Sequence, residues 1–278
     1  MKKSTLLFVS CLIAFAFSSC SSQKSTLSKT LPPLSELTSI LDSIVEEGYQ
    51  LYYSERANWV ATDLVFAKHN EEELGHSVSL RLNDSIWTVL FFDKDNGNCV
   101  FESRYNIYSN DIITIDSIRP ISLEESTLME RKDILINKAI SKYGNNMLFA
   151  PQSFGNPNID IIRINDQLIR VYFLQGTVQN NTIPFGNDYS VDFDENLEPV
   201  AFRKYHNSLI ACPTKSEDGD NVKMVWHSHL KDNPFITPTD ICNFLLYCPQ
   251  YMNGFCVLST AYGCYFTFLR DQHCIVVQ

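Results

Sequence analysis

Apolar residues after Pro32 and Pro33 recur at intervals of three and four, through Leu37, Ile40, Leu41, Ile44 and Val45. That is the period of one helix face, and Gly48 reads as the end of the helix. Residues 78–82, 86–92 and 100–108 are rich in β-branched and aromatic side chains, with Asn, Asp and Gly between them, and read as strands. A second helix opens on the capping box Ser122-Leu123-Glu124-Glu125, runs through Ile134, Leu135 and Ala139, and stops at Gly144. Strand composition returns at 159–164, 168–174, 189–193 and 200–205, then at 225–229. A short helix follows at 239–247, and strands at 254–259 and 264–269 close the chain. The pattern predicts an α+β fold with a mixed or antiparallel sheet flanked by helices.

Residues 81–91 echo residues 163–173, with Arg, Asn, Asp, Val and Phe shared at matching positions. An Asn-Asp hairpin between apolar strands accounts for this by turn chemistry, in preference to a duplication. The acidic turns at 93–97 and 192–196 lack the glutamate that closes a calcium loop, since Arg104 and Arg203 stand at the twelfth positions. His69 and His76 flank three glutamates in a uniformly polar stretch, which reads as a solvated helix end.

Residues 225–240 carry the most specific chemistry. In a strand, residues two apart share a face, so His227 and His229 converge on one point. Asp240 begins the following helix and can return a carboxylate to that point. Two nitrogens, one oxygen and a fourth position left for water form the ligand set of a catalytic zinc. Thr237-Pro238-Thr239-Asp240 is also a good helix start, with Thr at the N-cap, Pro at the first helical position and an acid at the third. Capping accounts for Thr237 and Asp240 but not for the two histidines.

The arrangement His-x-His, seven residues, Thr, two residues, Asp, on strand, loop and helix, resembles the signature of the JAMM/MPN-domain metallopeptidases. The resemblance covers roughly the last third of the chain. It implies that His227, His229 and Asp240 bind one zinc ion, and that Thr237 stands where a catalytic serine steadies the tetrahedral intermediate. It also implies a peptide or protein substrate, cleaved by zinc-activated water. The family's proton-transferring glutamate belongs on an upstream strand, and residues 169–176 carry none. Asp166 is the nearest acid there, and Glu195 and Glu198 sit in a hairpin turn. Leu230 replaces the usual proline, and Thr237 the usual serine. A catalytically inactive binding or structural relative is therefore the alternative to a peptidase.

The N-terminus points to location. Lys2 and Lys3, the apolar run 5–17 and Phe17-Ser18-Ser19-Cys20 read as a lipoprotein signal, because the run is shorter than the ~20 residues of a bilayer span. The expected organisation is a signal at 1–19, a lipidated, Ser-rich tether at 20–31 beginning at Cys20, an N-terminal α+β region at 32–145 and a JAMM/MPN-like domain at 146–278. This places the protein in the bacterial cell envelope, anchored to the membrane by lipid.

The formal charge of −10 would become more negative once Lys2 and Lys3 are removed, and no basic patch interleaved with aromatics occurs. Such a surface repels phosphate backbones, so nucleic acid is not an expected partner. A 45% hydrophobic and 12% aromatic composition supports a substantial core. Six cysteines crowd between 212 and 274, which outside the cytoplasm favours disulfides, with buried free thiols as the other reading.

Overall fold

In the computed structural model, which describes residues 29–94 and 97–278, the chain is a mixed α+β protein. Three helices and fourteen strands in four sheets occur among those residues. The signal, Cys20 and residues 20–28 of the tether lie outside the described residues. None of the described helices is long and apolar enough to cross a membrane.

Helix α1 (Leu34–Phe66) precedes a meander of β1 (Leu74–Arg81), β2 (Ile86–Asp93), β3 (Cys99–Asn106) and β4 (Ile112–Ile115). Helix α2 (Leu123–Tyr143) precedes β5 (Pro157–Asn165), β6 (Leu168–Gln175), β8 (Tyr189–Phe193) and β9 (Pro199–Lys204), again in sequential antiparallel order. The inserted β7 (Thr182–Phe185) pairs with β10 (Ile210–Pro213). A last sheet joins β11 (Val225–His229) in parallel to β12 (Gly254–Ser259), with α3 (Pro238–Tyr247) between them in sequence. Antiparallel β13 (Cys264–Leu269) and β14 (Cys274–Val277) complete it.

The echo at 81–91 and 163–173 extends well beyond a hairpin. Arg81 faces Trp87 as Arg163 faces Ile169, and Ser79 faces Val89 as Ile161 faces Val171. Trp87 then faces Tyr105 as Ile169 faces Phe193, and Ser103 faces Thr114 as Val191 faces Phe202. Asn83 and Asn165 turn the chain in the same way, each accepting through Oδ1 the N–H two residues on, at 2.9 Å. Order and register recur through a whole unit of one helix and four strands.

Helix α1 runs well past Gly48, because its buried stripe continues through Leu51, Ala57, Ala61 and Val65. The glycine is a crossing point and not a stop: a Cβ there would lie 2.8 Å from Ile241 Cβ of α3. Leu37, Leu41 and Val45 pack with Phe244, Phe255 and Phe268 of the C-terminal part, and Leu51, Ala57 and Ala61 pack with Trp87, Val89, Phe101 and Tyr172. One helix thus braces all three larger sheets. Gly48→Ala is expected to lower stability by about 1–3 kcal/mol, since the added methyl meets the branch point of Ile241. The sign is opposite to the usual gain from Gly→Ala in a helix. Urea denaturation measures it, and a variant more stable than wild type would contradict the close crossing.

The capping box at Ser122 and Glu125 forms as the sequence implies. His69 and His76 do not share a site: His69 meets Asp116 and His76 meets Asp133, either side of a short exposed turn at Glu71–Glu73. All seven described cysteines are free, contrary to the disulfide expectation. The reason lies in register, since Cys256 faces Thr267, Cys264 faces Ser259 and Cys274 faces Leu269, so no cysteine of the C-terminal sheet opposes another. Cys242 is wholly buried and packs as a small core residue.

Candidate metal centre

Strand β11 alternates buried and exposed residues, with Val225, His227 and His229 inward and Trp226 and Ser228 outward. The two-residue spacing therefore does what strand geometry requires and brings the two Nε2 atoms 3.0 Å apart. Asp240 occupies the third position of α3, and its carboxylate serves both roles that the sequence suggests. Its Oδ2 accepts from the Thr237 N–H and hydroxyl, each at 2.8 Å, while its own N–H donates to Thr237 Oγ1. Its Oδ1 is buried with no hydrogen-bond partner among the described residues, and lies 3.2 Å from Nε2 of His227. Capping thus orients the carboxylate and leaves one oxygen for the histidines.

A third histidine, His206, completes the cluster. Its Nε2 lies 2.8 Å from that of His229, 3.4 Å from that of His227 and 3.2 Å from Asp240 Oδ1. A fourth protein nitrogen thus lies beside the three expected ligand atoms. His206 follows β9, and Asp188 precedes β8; because these strands pair, both residues lie at the same end of one sheet, where the Tyr205 N–H donates to the Asp188 carbonyl at 3.1 Å. Neither residue belongs to a local motif. The only sequence signal for His206 is a histidine at a strand end in a chain with six, three of which converge here.

The four side chains form a group that could hold a metal ion, and their spacing fits one. Contacts among the three Nε2 atoms and from His206 and His227 to Asp240 Oδ1 run from 2.8 to 3.4 Å, and a tetrahedron with legs of about 2.0–2.1 Å has edges of about 3.3 Å. The outer hydrogen bonds fix the required tautomers. His229 Nδ1 donates to the Phe235 carbonyl at 2.5 Å, and His206 Nδ1 donates to Asp188 at 2.8 Å. Thr239 donates its hydroxyl to the same Asp188 carboxylate. In their neutral forms both imidazoles would aim an Nε2 lone pair at the centre, an arrangement typical of metal-bound histidines. The His227 ring is held by Phe185, 4.7 Å between centroids, and stacks on Phe255 at an interplanar angle of 8°.

The electrostatics favour one positive charge within the group, carried by a proton on His206 when no metal is bound. Burial opposes a charge on His206, but Asp188 and Asp240 outweigh it and hold its pKa well above the usual imidazole value. Burial, aided by His206 and His227, pushes His229 down to about 4 against the pull of Asp240. Burial would raise Asp240, yet the three imidazoles hold it well below the ordinary carboxylate range. Converging lone pairs beside one carboxylate repel each other until a positive charge is shared among them.

Thr237, expected to be catalytic, caps α3 with its hydroxyl directed at Asp240. Asp166, Glu195 and Glu198 are exposed in turns, and Glu198 pairs with Lys138. The acid beside the cluster is Asp188, with both oxygens engaged by His206 and Thr239. In comparisons with known proteins the chain matches no family model, no curated protein and no solved structure.

Proposed function

We propose that this chain is a lipid-anchored, extracytoplasmic binding or structural protein in which a zinc ion holds the fold together and does not turn over a peptide. The position of His206 beside the three expected ligands is the observation that carries this reading. Structural zinc sites are closed by four protein ligands, whereas catalytic ones keep a position for water. Burial supports it, with His206, His227, His229 and Asp240 between 1% and 5% exposed. Such a metal would join three parts of the fold: the end of the β8–β9 pair through His206, strand β11 through His227 and His229, and helix α3 through Asp240.

Zinc is favoured by three imidazoles and a carboxylate at tetrahedral spacing, a set that asks for neither redox change nor an open position. The resemblance to the JAMM/MPN metallopeptidases then describes an inherited ligand pattern, with His206 in place of the water and, among the described residues, no free acid beside it to act as base. Zinc-loaded chain incubated with a panel of peptides and isopeptide-linked conjugates is expected to hydrolyse none faster than His227→Ala does. Metal-dependent turnover that His227→Ala abolishes would overturn the proposal in favour of a peptidase.

A further inference from the structure

The sheet of β11–β14 packs through one face, where Val225, Phe255, Val257, Phe266 and Phe268 belong to the core and His227 and His229 point the same way. Its other face is apolar as well. In register, Trp226 stands beside Cys256, Thr267 and Val276 across that face, and Ser228 beside Leu258 and Tyr265. Trp226 is 65% exposed, Tyr265 44% and Val276 36%, while Met224 and Leu230, at either end of β11, are 49% and 54% exposed. None of the four strands contains an Asp, Glu, Lys or Arg. The water-facing side of such a sheet ordinarily carries polar residues at alternate positions, and a contiguous apolar one marks a contact. The Thr267 hydroxyl donates to Cys256 Sγ at 3.4 Å, so that polar group stays satisfied when the face is covered.

Where the chain enters the fold points to the occupant. The Lys29 N–H donates to the Ala261 carbonyl at 2.7 Å, in the turn between β12 and β13, so the chain arrives at the end of this same sheet. Lys29 lies nine residues beyond Cys20, a reach of at most about 30 Å. With Cys20 held in a bilayer, the outward face meets lipid at high effective concentration, and a contact too weak to hold a free protein then suffices. Tryptophan and tyrosine suit that boundary, because the ring enters an apolar layer while its N–H or O–H stays hydrated. A chain with a formal charge of −10 gains nothing from anionic headgroups, so the contact is one of apolar area.

We propose that the outward face of β11–β14 docks on the surface of a lipid bilayer, with Trp226 and Tyr265 at the level of the headgroups. The inference rests on the lipid anchor at Cys20 and is independent of the metal centre, whose ligands His227 and His229 lie on the opposite face of the sheet.

Reconstitution of the full chain, purified from membranes, into phosphatidylcholine vesicles with and without dibrominated acyl chains tests it, since bromine quenches tryptophan only at contact range. Brominated lipid is expected to quench the emission, Trp226→Phe to lose most of that quenching and Trp59→Phe to keep it. Trp226 is exposed, so its replacement is expected to leave the fold intact, which circular dichroism checks. Chain that floats with the vesicles yet is quenched no more by brominated than by plain lipid would overturn the docking and leave the anchor standing. Chain that does not float would overturn anchor and docking together. Quenching that survives Trp226→Phe unchanged would place a different surface on the lipid and overturn the proposal. Absent quenching with a dimer seen by sedimentation in detergent would overturn it in favour of a second copy on this face.

Discussion

Stripping the metal with a strong chelator is expected to lower the melting temperature by on the order of 10 °C, with recovery on adding back one equivalent of zinc. A ligand bound at a thousand times its dissociation constant adds about 4 kcal/mol to folding stability, and in a chain of this size each kcal/mol moves the midpoint by roughly 2–4 °C. The repulsion left behind adds to the effect. His206 Nε2 stands 2.8 Å from that of His229, and Asp240 Oδ1 has no other hydrogen-bond partner among the described residues. Differential scanning calorimetry of loaded and chelated samples checks this, and identical midpoints would mean that no metal braces the fold.

Arg170→Met is expected to be the most damaging single substitution away from the metal centre, at about 3–5 kcal/mol. The buried Arg170 guanidinium donates to both oxygens of Asp192, at 2.5 and 2.9 Å, and to Glu47 at 2.5 Å, tying β6 and β8 to helix α1. Tyr172 also donates to Glu47, and Arg203 reaches Asp192 from the solvent side at 3.3 Å. Removing the guanidinium leaves two carboxylates, one of them almost fully buried, without their main counterion. Arg170→Lys keeps the charge but not the paired geometry, so an intermediate loss is expected. Denaturant midpoints of the three proteins give the test, and a Met variant within 1 kcal/mol of wild type would show that the network contributes little.

Local patterns carried much of this structure. The alternation around His227 and His229 and the cap at Thr237 depend only on residues within one or two turns, and both form as the sequence implies. The capping box of α2 is likewise local. What is not local is set by tertiary pairing. Gly48 has the form of a helix stop, and only the approach of Ile241 explains a glycine inside a helix there. Strands β4, β7, β10 and β14 have four residues each, too few for periodicity to show. His206 and Asp188 meet because β8 and β9 pair in one register, and that register brings a fourth candidate ligand to the point where the local pattern implies three. The repeat was visible as an echo of eleven residues, but its extent through four strands appears only in the pairing.

The closed metal centre is tested most directly by the metal content of wild type and His206→Ala, measured side by side by mass spectrometry after exhaustive dialysis. Near one zinc per chain in wild type and far less in the variant is the predicted result. One zinc per chain in both would contradict it, because His227, His229 and Asp240 would then hold the ion unaided and leave a coordination position open for water.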